Sequence, residues 1–238
     1  MLKRMLLVLV TTVTAVAGVA IGTAAPAVAA PGCPDIAVIF ARGTAETGAP
    51  VGITGLSYEN ALRNRLPRKD IRVSAVDYPA SSNFNDRVSF VRNVVRGIDN
   101  AQAQIRATAR RCPATDIVVG GYSQGGAVAT YSVTDRIDIP AKYAQYRSQA
   151  PAPLPADVLK HVSAVVLFAP PSATWIRELG APPMKVATSL RGATATYCIP
   201  GDVVCDGARV GQPNGLHVLY SVNGMTGQAA DFTARHTR

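Results

Sequence analysis

The chain has 238 residues, 48% of them hydrophobic and 16% charged, which supplies a sizeable core at a charge content below the ~25% of an average globular domain. That balance excludes a disordered chain, which would be poorer in aliphatics and denser in charge, and neither collagen-like repeats nor the heptads of a coiled coil occur. Lys and Arg outnumber Asp and Glu by 24 to 15, and the formal +9 raises the question of a nucleic-acid or membrane-surface partner.

At the N-terminus, Lys3 and Arg4 precede an uncharged apolar run from Met5 to Gly22 and a small-residue segment ending at Ala29 and Ala30, the order of a secretory signal peptide. Small side chains at positions −1 and −3, Ala29 with Ala27 or Ala30 with Val28, set the expected cleavage. Residues 1–30 are therefore read as a leader and 31–238 as one mature domain. An uncleaved anchor is the alternative, since the run approaches the ~18 residues that span a bilayer. Thr11, Thr12 and Thr14 and the cleavage-like end favour export.

Five short apolar runs follow in the mature part: Asp35 to Ala41, Ile71 to Asp77, Asp116 to Gly121, Val162 to Ala169 and, more weakly, Thr194 to Cys198. Their near-continuous hydrophobicity suits strands buried on both faces. Helix-length segments lie between them, at about 54–66, 85–110, 124–135 and 218–235. In the longest, Val88, Val91, Val94, Val95, Ile98, Ala101, Ile105 and Ala109 recur at three- and four-residue steps. Arg87, Arg92, Arg96, Asp99, Gln102 and Arg106 fall on the other side, which predicts one buried stripe and one solvated face. Strands alternating with helices predict an α/β fold around a mainly parallel five-stranded sheet. The Ala/Pro-rich stretch from Ser148 to Pro155 and the Gly180 to Pro183 turn read as loops within this one domain.

The third strand runs into Gly121-Tyr122-Ser123-Gln124-Gly125. A Gly-x-Ser-x-Gly between strand and helix marks a tight turn that presents a serine hydroxyl at the carboxyl edge of the sheet, above a helix N-terminus. A serine nucleophile needs a base, and the base an orienting acid; in this fold the order is Ser, Asp, His. His161, His217 and His236 follow Ser123. His161 precedes a strand and so belongs at the opposite sheet edge, and His236 lies two residues from the C-terminus, where fraying is expected. His217, in a loop after the last strand, is the predicted base. Asp202 and Asp206 both precede it; Asp202, enclosed by Cys198 and Cys205, is preferred, with Asp206 as the alternative.

The mature chain holds four cysteines, Cys33, Cys112, Cys198 and Cys205, an even number that in an exported protein points to two disulfides in one of three pairings. The preferred pairing is the long Cys33 to Cys112 loop with the short Cys198 to Cys205 loop. No Cys-x-x-Cys occurs and no histidine stands at zinc-finger distance from a cysteine, so neither metal nor cofactor is expected. Basic and aromatic residues are not interleaved, and Arg63, Arg65, Arg68 and Lys69 form the densest basic group, which argues against nucleic acid.

Four motifs in fixed order carry a resemblance to a known family: Phe40-Ala-Arg-Gly-Thr44-Ala-Glu-Thr-Gly48, Gly120-Gly-Tyr-Ser123-Gln124-Gly-Gly126, Cys198-Ile-Pro-Gly-Asp202-Val-Val-Cys205, and His217 followed by Tyr220. The chain resembles the cutinase family, in particular the exported cutinase-like esterases of actinobacteria, from Cys33 onward. The resemblance implies an α/β-hydrolase-type three-layer sandwich without a large lid, with Ser123, Asp202 and His217 as triad and Thr44 and Gln124 as oxyanion hole. It also implies disulfides Cys33–Cys112 and Cys198–Cys205, and hydrolysis of short- to medium-chain acyl esters. Expected partners are a small-molecule or lipid ester and peripheral lipid or cell-envelope surface, for a monomer that is secreted or envelope-associated. Rival readings are a phospholipase, thioesterase or acyltransferase on the same triad, and a non-catalytic envelope-binding protein. The segment from Ile137 to Leu159 looks longer and richer in Pro and Ala than in compact fungal members.

Overall fold

The computed structural model describes residues 32–48, 50–83 and 86–238. The predicted leader, residues 1–30, lies outside the described residues. In chain order the elements are β1 Ile36–Ala41, α1 Gly52–Arg65, β2 Ile71–Ala75, α2 Arg87–Arg111, β3 Asp116–Tyr122, α3 Gln124–Ser132, α4 Ala156–Leu159, β4 Val162–Phe168, α5 Ala173–Leu179, β5 Thr194–Tyr197 and α6 Met225–His236. All five strands run parallel in the order β2-β1-β3-β4-β5.

Because side chains alternate along a strand, each central strand feeds two cores. Ile36, Val38 and Phe40 of β1 pack with Tyr58 and Leu62 of α1 and Ala229 and Ala230 of α6. Ile39 and Ala41 face the opposite layer, with Ile98, Ala101 and Ile105 of α2 and Val128 of α3. The result is three layers, helices on both faces of the sheet. Phe40, Tyr58 and Phe168 form a ring cluster with centroids 5.9 to 6.3 Å apart, and all three are fully buried. Full burial of such side chains contributes ~1.5–3 kcal/mol each.

The chain leaves β1 toward β2 on one side and returns to β3 on the other, so the order reverses between β1 and β3. At such a reversal the loops that follow the two strands diverge and leave a crevice at the carboxyl edge. Ala41 and Gly121, the last residues paired between β1 and β3, open it, and the chain just beyond them carries Thr44 and Ser123.

Several expectations shift in detail. The buried stripe of α2 starts later than its periodicity suggests: Val88 and Val91 are 57% and 58% exposed, and the α2 residues that enter the core begin at Val94. Gln102, assigned to the solvated face, is buried and donates from Nε2 to Ser132 O at 3.3 Å and Ala152 O at 3.0 Å, closing the loop after α3 onto α2. The last helix begins at Met225 and not near 218; Gly215–Val218 forms a 3-10 turn, and Gly224 at φ +88° reverses the chain before α6 starts. The Ile137 to Leu159 segment contains a 3-10 stretch, Ala141–Gln149, and the short α4. His236 is not frayed. It is the last residue of α6, its ring lies 4.1 Å from that of Phe232, and Nδ1 and Nε2 approach the carbonyls of Phe232 and Gly192.

Both disulfides form as preferred, Cys33–Cys112 and Cys198–Cys205. The first ties the lead-in to β1 to the end of α2.

Candidate active site

Ser123 sits between Tyr122, the end of β3, and Gln124, the start of α3, at φ +54° and ψ −119°. A non-glycine residue with positive φ is strained and persists only where its surroundings over-determine it. The two flanking glycines of the motif explain how the turn closes. A Cβ on Gly121 would stand 2.1 Å from the carbonyl oxygen of Gly125, and one on Gly125 would stand 1.9 Å from that of Ala41. No other residue fits at either position. The backbone N–H of Ser123 is held by Phe168 O of β4 at 2.9 Å, which fixes the turn against the neighbouring strand.

His217 lies in the Gly215–Val218 turn, with Nε2 2.9 Å from Ser123 Oγ. Its ring is buried against Tyr122 at a centroid distance of 5.2 Å, and the Tyr122 hydroxyl donates to the His217 carbonyl oxygen. Tyr122 thus clamps the loop by ring and hydroxyl at once; burial holds its phenol above the ordinary tyrosine range.

Nδ1 of His217 lies 3.0 and 2.9 Å from the two carboxylate oxygens of Asp202, which has no solvent exposure. A buried carboxylate needs several donors. Asp202 has them: besides His217, Val204 N donates to Oδ1 at 3.0 Å and the Tyr220 hydroxyl to Oδ2 at 2.7 Å. Burial and, after it, the contact with the Asp202 carboxylate keep the Tyr220 phenol protonated well above its usual range. The Asp202 turn is closed by the Cys198–Cys205 disulfide and by the Cys205 and Asp206 N–H groups donating to Asp202 O.

Ser123, His217 and Asp202 are therefore brought together, and the alternatives are placed elsewhere. Asp206 turns its carboxylate to Gly201 N at 2.6 Å and braces the same loop. His161 immediately precedes β4, at the amino edge of the sheet, where its carbonyl accepts Ile117 N. His236 ends α6.

Thr44 and Gln124 meet across the crevice, with the Thr44 hydroxyl donating to Gln124 Oε1 at 3.4 Å. Gln124 is the first residue of α3, so its backbone N–H has no acceptor within the helix. The Thr44 loop is braced by a residue to which the sequence alone gave no role, Glu46. Its carboxylate accepts Gly43 N at 2.7 Å and Thr54 N at 2.9 Å, pinning the loop to the first turn of α1. Only a glycine at 52 leaves room for it, since a Cβ there would lie 2.1 Å from Glu46 Oε2. From the other side Ala45 N donates to Ala80 O at 2.9 Å and the Arg42 guanidinium to Pro79 O at 2.9 Å. A glutamate three residues after a glycine in the loop that leaves a strand can brace that turn, but its second partner on α1 was not readable from spacing.

Comparison with known proteins agrees with this architecture. The family profile for cutinase matches residues 32–237. The probable carboxylesterase Culp7 of Mycobacterium tuberculosis is 42% identical over 171 residues, covering 72% of this chain and 87% of that protein. Carboxylesterase Culp1 of the same organism is 35% identical over 230 residues, covering 92% and 93%. Among solved structures, Trichoderma reesei cutinase in complex with a C11Y4 phosphonate inhibitor superposes with a TM-score of 0.61 at 28% identity, over 85% of this chain and 76% of that one. A parallel sheet with a strained serine turn at its order reversal and a family match spanning nearly all the described residues lead to one conclusion: the chain belongs to the cutinase family.

Proposed function

We propose that the protein is a secreted serine esterase that cleaves short- to medium-chain carboxylic esters through an acyl-enzyme on Ser123, with His217 as general base and acid and Asp202 as its orienting carboxylate. The observation that carries this reading is the hydrogen-bonded line from Asp202 Oδ2 through His217 to Ser123 Oγ, with links of 2.9 and 2.9 Å. The carboxylate keeps the proton on Nδ1, which leaves Nε2 as the free base. As Ser123 Oγ attacks the ester carbonyl carbon, His217 Nε2 takes the hydroxyl proton. The tetrahedral oxyanion is received by the backbone N–H groups of Thr44 and Gln124 and by the Thr44 hydroxyl. Preorganised donors of this kind typically supply ~3–4 kcal/mol each to the transition state. His217 then passes its proton to the departing alcohol oxygen. Water, deprotonated by His217, attacks the acyl carbon, and the acid leaves as Ser123 recovers its proton.

The surroundings support an ester with an apolar part. Val218, Leu219 and Val222, just after His217, are exposed, as are Ile53 and Leu56 of α1. The two groups are tied together, because Ser57 Oγ of α1 donates to Ser221 O at 2.7 Å. An exposed apolar rim beside a serine nucleophile suits an acyl chain or peripheral contact with a lipid surface. Two disulfides and the leader-like N-terminus support export to an oxidising compartment.

Replacing Ser123 with Ala tests the reading. The variant is expected to keep the wild-type melting temperature within a few degrees, to lose ester hydrolysis and to escape labelling by a fluorophosphonate that modifies the wild type stoichiometrically. Full activity in Ser123→Ala sinks the assignment. Product analysis with phospholipid, thioester and polymeric cutin separates the esterase from its phospholipase, thioesterase and acyltransferase rivals.

A further inference from the structure

Among the described residues, two side-chain nitrogens are buried without a hydrogen-bond partner in the protein, Nε2 of Gln124 and Nε1 of Trp175. The first belongs to the residue directly after Ser123 and is 5% exposed. An unpaired amide N–H in such a place is costly. The backbone N–H that Gln124 contributes in the proposed mechanism does not require this cost, since a methionine would present the same N–H without an orphaned side-chain donor. The other arm of the amide is engaged: Oε1 accepts the Thr44 hydroxyl at 3.4 Å.

We propose that the Gln124 side chain is a positioning residue that aims the Thr44 hydroxyl at the oxyanion by a half-turn of its amide. The inference rests on the acyl-enzyme reading above. A hydroxyl has one proton and two lone pairs. While Oε1 faces Thr44, that proton is given to Gln124, and the hydroxyl offers the reacting ester oxygen only lone pairs, which repel developing negative charge. Turning the amide through half a revolution exchanges its arms. Nε2 then donates to Thr44 Oγ1, Oε1 takes the unpartnered place that Nε2 leaves, and the Thr44 proton is released to the oxyanion. The torsion involved is broad and two-fold, and the two arms are nearly equal in size, so the turn needs no repacking. No covalent bond forms or breaks; three hydrogen-bonding groups exchange partners as charge appears. The aiming depends on both side chains: Gln124 has nothing to aim without the Thr44 hydroxyl, and the hydroxyl keeps only part of its effect without Gln124.

The test is a double-mutant cycle in the full mature chain with a soluble ester. Thr44→Val, which removes the hydroxyl, lowers kcat by about 10²-fold. Gln124→Met keeps the backbone N–H and most of the side-chain volume, and lowers kcat by about tenfold with KM changed less than about twofold. In the Thr44→Val background, Gln124→Met costs less than about twofold further, because no hydroxyl remains to be aimed. Gln124→Glu holds the Thr44 proton but has no N–H to offer in exchange. Its kcat falls at least as far, and its ratio to wild type rises as pH is lowered and the carboxyl gains a proton. Losses that multiply in the double variant, or a Gln124→Met effect confined to KM, overturn the proposal. If Gln124→Met does not fold, the uncharged Gln124→Leu measured with and without Thr44→Val reads the same coupling. Fluorophosphonate labelling keeps the two failures apart. Unlabelled, folded wild type removes the acyl-enzyme reading and this inference with it, whereas a labelled wild type with multiplicative losses removes the role of Gln124 alone.

Discussion

Tyr220 donates its hydroxyl hydrogen to Asp202 at 2.7 Å and accepts the backbone N–H of Ile199 at 2.9 Å, so one fully buried phenol joins the carboxylate to the strand end that leads into its loop. Tyr220→Phe removes a donor from a buried carboxylate and orphans the Ile199 N–H. The expected result is a loss of about 1–3 kcal/mol in stability and a fall in kcat of about tenfold at nearly constant KM, since Asp202 loses part of what holds it against His217. Denaturant unfolding and steady-state kinetics check the two parts. Unchanged kcat at reduced stability would leave Tyr220 a purely structural residue.

The two disulfides should separate stability from activity. Cys33 and Cys112 are 79 residues apart, and by the chain-entropy model their bond contributes about 4–5 kcal/mol through the unfolded state. Cys198 and Cys205 are 7 apart, which gives about 2–3 kcal/mol, but their bond closes the turn that presents Asp202. Replacing the first pair with serine is expected to lower Tm more and to leave kcat near wild type below the transition. Replacing the second lowers Tm less and kcat more. The reverse ranking in either measurement contradicts the assigned roles.

Glu46 predicts the behaviour of the Thr44 loop. With Glu46→Ala, Gly43 N and Thr54 N lose charge-assisted bonds, at a cost of about 1–3 kcal/mol, and the loop is free to drift from its place opposite Gln124. Activity is expected to drop by about 10²-fold, mainly in kcat, since a misplacement of about 1 Å has that effect on a preorganised site. Gly52→Ala should do similar harm from the other side, because its Cβ meets the Glu46 carboxylate and its φ is +78°. Ester hydrolysis close to wild type in both variants would show that the loop is held by Ala80 and Pro79 alone.

What the sequence disclosed depends on how local the controlling physics is. The Ser123 turn was readable because its constraint is local: the Gly121 and Gly125 backbones approach others so closely that only glycine fits, and the letters record it. His217 and Asp202 followed from chain order and from the cysteines around Asp202. The central strands β1, β3 and β4 were readable from near-continuous apolar runs because they are buried on both faces, whereas the edge strands β2 and β5 are only partly buried, which is why the run at β5 was the weakest. The misplaced residues were those whose environment is set by distant chain. Val88 and Val91 continue an apolar period in front of the core residues of α2, which begin at Val94, and Gln102 is buried where the carbonyls of Ser132 and Ala152 accept its amide. His236 is ordered by Phe232 and by Gly192, a partner 44 residues away. Glu46 and Tyr122 act through contacts with α1 and the His217 loop that no spacing rule contains.

The phenols also set an alkaline limit. Tyr58, Tyr78, Tyr122, Tyr131, Tyr197 and Tyr220 all have pKa values raised above the ordinary value of about 10, first of all by burial. A folded-state pKa above the unfolded one contributes stability that is complete below the unfolded pKa and is lost as pH rises beyond it. Here the unfolded chain releases these protons from about pH 10 upward while the folded chain retains them, so each further unit of pH favours unfolding. Stability is expected to hold steady up to about pH 9.5 and then to fall steeply, with more than one tyrosine proton released per unfolding event. Melting curves taken against pH and followed by tyrosinate absorbance measure this. Ionisation of all eight tyrosines in a chain that still melts cooperatively would contradict it. The steepness should ease in Tyr131→Phe, which removes one buried phenol and leaves the Ser123, His217 and Asp202 geometry untouched.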